Sequence, residues 1–212
     1  MTTQLFISAF ITLFVVIDPP GCAPIYAGLT KSASAMQQRA MAIRACFIAM
    51  VILVGFALFG EQLLAALHIE LDSFRIAGGF MLFWIAFEMV FEKRTQRREE
   101  RAEKVAAQNE LAEEAEDVSV FPMAMPMLAG PGAIAAIMLL MNEAEGTDQT
   151  LVVLAALGSV LLLTLAALVA AGPLIRLLGD RVEAVITRLL GVLLAALAAQ
   201  YVIDGLKGSF GI

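Results

Sequence analysis

Residues 149–175 contain no Asp, Glu, Lys or Arg, and neither do residues 119–142 or 189–203. Uncharged stretches of this length leave a chain few ways to fold in water. A helix needs about 20 mostly apolar residues to cross the hydrocarbon core of a bilayer, and two shorter apolar cores, 45–60 and 76–87, extend the series. Six candidate spans follow: 4–29, 41–63, 74–92, 119–141, 150–175 and 185–206. Composition agrees, at 60% hydrophobic and 16% charged, against roughly 45–50% and about 25% in soluble domains. The expected fold is an all-α integral membrane protein with six transmembrane helices and no soluble domain.

The start "MTTQLF" lacks a basic region, and no A-x-A-type site follows the first apolar run. The first helix is therefore expected to act as an uncleaved insertion signal. Orientation follows Lys and Arg near helix ends. With the N-terminus outside, the inward loops collect the basic residues of 31–44, 93–104 and 176–188. Only Arg75 and Lys207 of the fourteen then stay outside. Both termini are expected on the external side. Cys22 and Cys46 have no C-x-x-C spacing and His68 stands alone, so no metal site and no cofactor are expected.

Residues 93–117, "KRTQRREERAEKVAAQNELAEEAED", form the one long polar stretch, a charged cytoplasmic linker. It separates a first three-helix repeat, 1–92, from a second, 118–212. "DPPG" at 18–21 lies over "AGPG" at 129–132, and "RIAGGFML" at 75–82 over "RLLGVLLA" at 188–195, pairing Arg75 with Arg188 and Gly78 with Gly191. With three spans per half, the second copy inserts upside down. The predicted architecture is a 3+3 inverted repeat with interrupted first and fourth helices, as in many secondary transporters.

Both interruptions free backbone groups that lipid cannot satisfy, so both belong in the protein interior. Residues 4–29 as one straight helix would measure about 39 Å at 1.5 Å per residue, which also calls for a break. In "IDPPGCAP", Asp18 is placed to cap a new helix, with Pro19 and Pro20 in its first turn. A carboxylate at membrane depth is also a functional-site hypothesis by default. In "MLAGPGAIAAIM" the helix restarts at Pro131 with no capping side chain at Ala129 or Gly130. The amides of Gly132, Ala133 and Ile134 then make a candidate anion site. A carboxylate at one break suits an ammonium group, and bare amides at the other suit a carboxylate. A small zwitterion such as glycine or alanine fits both.

The candidate substrate-binding residues are Asp18, Pro20, Gly21, Cys22, Gly130, Pro131, Gly132, Ala133, Ile134 and Gln200. Gln200 is included as a polar residue placed to line the path or bond between helices. Glu88 and Glu92 are read as solvated at the cytoplasmic membrane surface, and Gly78, Gly79 and Gly191 as sites of close helix packing. No Ser–His, H-x-x-x-H or paired-aspartate pattern occurs, so an enzyme is not expected.

"DPPGCAPIY", "PMAMPMLAGPGAI", "RIAGGFMLFWIAFEM" and "RLLGVLLAALAAQYVIDGL", in that order, resemble the MarC family of bacterial inner-membrane proteins, related to the SnatA small neutral amino acid transporters. The resemblance covers nearly the whole chain. It implies a six-helix inner-membrane protein and neutral amino acid transport. The family pattern usually has Asn after D-P-x-G, where this chain has Cys22, and often Ser or Thr after G-P-G-A-I, where it has Ala135 and Ala136. The expected partners are the lipid bilayer and a small zwitterionic solute, with a coupling proton and a homo-oligomer left open and no nucleic acid. The alternatives are a channel or exporter for another small solute, or a non-transporting membrane protein.

Overall fold

The computed structural model describes residues 2–91 and 117–211, with the side chains of 173–184 left aside. The charged segment predicted as a linker therefore lies almost wholly outside the described residues. The described chain is all helical: α1 (Thr2–Ile17), α2 (Pro19–Leu29), α3 (Ala35–Ala66), α4 (Leu71–Val90), the wide and distorted helix α5 (Ser119–Leu128), α6 (Pro131–Asn142), α7 (Gly146–Val169) and α8 (Ala171–Phe210). Five stretches are long and apolar enough to cross a membrane, Thr2–Leu29 among them, and α5 with α6 makes a sixth, bent by 53°. The six spans expected from the sequence are thus all present.

The ends of these elements follow from local chemistry. Ser34 and Gln37 form a capping box that starts α3, each satisfying an amide the helix leaves open. The turn before it is held by the Gln38 side-chain amide, which donates to Thr30 O at 2.8 Å and Ala33 O at 3.2 Å. Gly211 ends α8 in the left-handed conformation, φ 67, where glycine meets no Cβ penalty. Inside α5, Pro122 and Pro126 follow residues with extended backbone, Phe121 and Met125. Its turns close by wide bonds, Met123 N to Val118 O and Ala129 N to Ala124 O.

One boundary differs from expectation. The loop predicted after residue 175 is absent, because α7 ends at Val169 and α8 begins at Ala171. Charged residues break a membrane span but not a helix, and Pro173 falls in the first turn, where it costs no hydrogen bond. Arg188 accordingly lies well inside α8, near the start of its apolar part at Val185.

Small residues bring α4 and α8 together antiparallel. Gly191 lies against Ala86 O, Gly79 against Ala198 O, and Gly205 against Asp72 O. On each helix these residues recur every seven places, which keeps one stripe facing one partner. Gly79 and Gly191 both face this helix pair, while Gly78 faces Leu139 and Ala135 of α6. The other packing follows a regular pattern: α1 on α7 and α5 on α3, α2 on α7 and α6 on α3, α2 on α8 and α6 on α4.

The start of α5 is tied to α3 at the membrane edge by the ion pair of Asp117 with Arg44. Asp117 also accepts the Ser119 amide at 2.9 Å. The Ser119 side chain beside it, that amide and the Arg44 guanidinium hold its carboxyl below the usual carboxylate range. Both side chains are largely exposed, and such pairs contribute little. Arg44→Ala is expected to cost less than about 1 kcal/mol in thermal unfolding. Because the folded pKa is depressed, the contribution is present at neutral pH and lost as pH falls through that pKa. A scan of melting temperature against pH, wild type against variant, checks both statements.

Candidate functional site

The first break is one residue wide. Asp18 still donates its amide to Phe14 O at 2.9 Å and already accepts Cys22 N at 3.0 Å. Between these bonds its backbone turns left-handed, φ 59 and ψ 65, a conformation short polar residues tolerate better than most. Pro19 and Pro20 remove the donors that the Val15 and Val16 carbonyls would meet in a continuous helix. The Asp18 carboxylate folds over the new helix end and accepts the Gly21 amide at 3.2 Å. Gly21 makes the room, since a Cβ there would stand 2.3 Å from Asp18 Oδ2. Cys22 Sγ donates to Ile17 O at 3.4 Å, knitting the break from the other side. Asp18 is 2% exposed.

The second break has the same plan without the acid. Gly130 precedes Pro131 and no side chain caps the end of α6. Ile134 N donates to Gly130 O at 3.0 Å, so the expectation that its amide stands open is corrected: it makes the first regular bond of the helix. Gly132 and Ala133 remain as the amides at the positive helix end. Gly132 N–H and Asp18 lie on elements that touch. A Cβ on Gly132 would stand 2.2 Å from Ile85 Cδ1 of α4 and 3.5 Å from Val16 Cγ1, two residues before Asp18.

Most of the residues singled out in the sequence lie inside the bundle. Asp18, Gly21, Cys22, Gly130, Gly132 and Ala133 are buried, and Pro20 and Ile134 half-buried, while the Pro131 ring is exposed. The nearby small residues in sequence, Ala23, Ala135 and Ala136, are buried too. Gln200 is not part of the group. Its side chain is exposed and donates to Asp204 Oδ1 at 2.8 Å one turn along α8, the ordinary fate of polar residues at i and i+4. Sequence reasoning missed Val16 and Ile85, the two side chains that seat Gly132. Nothing apolar in their surroundings distinguished them. It also misread Glu88, which is 8% exposed and accepts the Trp84 indole N–H at 2.9 Å. The spacing of Trp84 and Glu88, four apart, was the signal available.

Comparison with known proteins agrees with this architecture. The model of the MarC family integral membrane proteins matches residues 3–210. UPF0056 membrane protein MJ1677 of Methanocaldococcus jannaschii is 36% identical, with 99% of each chain covered. UPF0056 membrane protein YvbG of Bacillus subtilis is 31% identical over 99% of this chain and 98% of its own. UPF0056 inner membrane protein YhgN of Escherichia coli is 30% identical, with 95% of each covered. No solved structure matches the chain. A multi-pass helical bundle with two buried helix breaks, matched over its length by one family, is a member of that family: this chain belongs to the MarC family of integral membrane proteins.

Proposed function

We propose that this protein is a secondary transporter of small neutral amino acids in the bacterial inner membrane, built as a 3+3 inverted repeat with both termini on the external side. The observation that carries the reading is that two helix breaks of opposite chemistry lie on packed elements, with Val16, two residues before Asp18, 3.5 Å from where a Cβ on Gly132 would stand. Asp18 supplies a carboxylate for an ammonium group, and the amides of Gly132 and Ala133 at the uncapped α6 end supply donors for a carboxylate. The alanines and glycines around them favour a small side chain. The packing of α1 on α7 and α5 on α3, of α2 on α7 and α6 on α3, and of α2 on α8 and α6 on α4 supports the repeat. The concentration of basic residues in the loops at the 31–44 and 93–104 end supports the orientation.

In this reading the solute is held between the two breaks, and the repeats rock around it to open alternately to either side. Cys22 and Ala135 leave few polar groups to recognise a side chain, so glycine and alanine are favoured over serine.

The test is counterflow in proteoliposomes preloaded with glycine, alanine or serine, following entry of labelled alanine. Preload-dependent entry is expected, and Asp18→Asn, which keeps the size of the side chain and a capping oxygen, is expected to reduce it at least 10-fold. Stimulation by a pH gradient would assign Asp18 a coupling proton as well. Absence of entry from every preload, in protein that is monodisperse and inserted, would remove the proposal. Conductance without preload dependence would point to a channel.

A further inference from the structure

A polar-lined space lies at the other end of α6. A cavity of about 190 Å³ opens where the ends of α3 and α6 meet the starts of α4 and α7, lined among others by Phe56, Glu61, Phe74, Met138, Asn142 and Thr150. It is on the side where Thr2 and Phe210 lie, the external side in the proposed orientation. Water occupies about 30 Å³ per molecule in the liquid, so the space suits a solute of a few heavy atoms.

One face of α6 runs from the second break to the cavity. Ile134 at the break, Met138 one turn on and Asn142 one turn further share that face, because side chains four apart stack along a helix. The distance from Ile134 to Asn142 along the axis is about 12 Å at 1.5 Å per residue. Met138 forms the floor: its side chain lies across α3 where Gly60 has none, with Cε 2.7 Å from the place a Cβ would occupy. The walls carry complementary groups. Glu61 is exposed at the mouth. Asn142 Oδ1 is taken by Arg75 Nη2 at 2.8 Å, which leaves the Asn142 amide –NH₂ as a donor.

We infer that this cavity is an external binding station for the same small ammonium-bearing solutes, with Glu61 receiving the ammonium group and the Asn142 amide the carboxylate. The inference rests on the transporter reading for the identity of the solute, and it adds a second site about 12 Å outside the first. Occupancy of the station precedes passage under Met138.

The experiment uses a single new thiol, Thr150→Cys, in proteoliposomes and a membrane-impermeant maleimide added from outside. Cys22 and Cys46 are buried, so the wild-type chain sets the background. Labelling is expected to be slowed at least 5-fold by millimolar alanine. The slowing should vanish with Glu61→Gln and survive Asp18→Asn. Should Thr150→Cys not yield monodisperse protein, Ala144→Cys on the same wall replaces it. Alanine counterflow without any slowing would overturn the station and leave the transporter reading intact. Slowing without counterflow would do the reverse. Slowing lost with Asp18→Asn but kept with Glu61→Gln would assign the binding to the breaks, and labelling only from the other side would contradict the placement. Either result overturns the inference.

Discussion

Gly130→Ala is expected to cut alanine counterflow at least 10-fold while leaving the helix content seen by circular dichroism unchanged. The backbone of Gly130, φ −76 and ψ 170, is one that any residue adopts, so the substitution brings no conformational strain of its own. The obstacle is space. A Cβ at Gly130 would stand 2.3 Å from the Pro126 carbonyl oxygen, a backbone atom that no rotamer change can move. Either α5 or the start of α6 has to shift. The α6 start is the shorter lever, and when it gives way the Gly132 and Ala133 amides leave their place beside Val16 and Ile85. A displacement of about 1 Å at a binding site can cost on the order of 100-fold in rate. A variant that inserts, stays monodisperse and transports like wild type would show that the second break has no part in the site.

Gly79→Leu is expected to have the largest effect on stability. Its side chain would enter α8 between Ala198 O and Val202 N, backbone atoms 2.9 and 3.0 Å from the position of the new Cβ. Overpacking a well-filled interior typically costs about 1–3 kcal/mol, and here the neighbours are main chain rather than pliable side chains. The expected outcome is a fall of 10 °C or more in the detergent melting temperature, on the order of what a loss of 3 kcal/mol produces in a chain of this size. Gly55→Leu is the control, because nothing lies within 4 Å of a Cβ there, and it should melt close to wild type. Equal melting of the two variants would mean that the α4–α8 stripe is not a tight interface.

The six spans and both breaks were legible in the sequence because the signals are strong and local. Long uncharged runs have one solution in a bilayer, and Pro19, Pro20 and Pro131 each delete an amide that a continuous helix requires. What was not legible depended on faces and partners. Gly78 and Gly79 are adjacent in sequence but point to different helices, and only the position of α8 decides which one packs on it. Gln200 reads as a membrane-depth polar residue, yet Asp204 one turn away satisfies it on the exposed side of α8. Glu88 reads as surface because it is charged, yet it is buried and accepts the Trp84 indole N–H. The early start of α8 was hidden because charge was taken to end both span and helix, whereas it ends only the span. In the candidate site the residues came from motif and cap chemistry. Their support, Val16 and Ile85, is ordinary aliphatic packing that leaves no mark in a sequence.

The seven-residue stripe between α4 and α8 has a mechanical consequence. Gly79 and Ala86 on one helix mesh with Gly191, Ala198 and Gly205 on the other, like teeth cut at a single pitch. A lengthwise slip of less than one full pitch, about 10 Å, would set a small residue against a large one such as Leu82 or Leu194, both buried. The two helices are therefore indexed: they travel together or not at all. A rearrangement of the bundle therefore has its sliding surfaces at the other helix contacts, those of α1, α2, α5 and α6 with their neighbours.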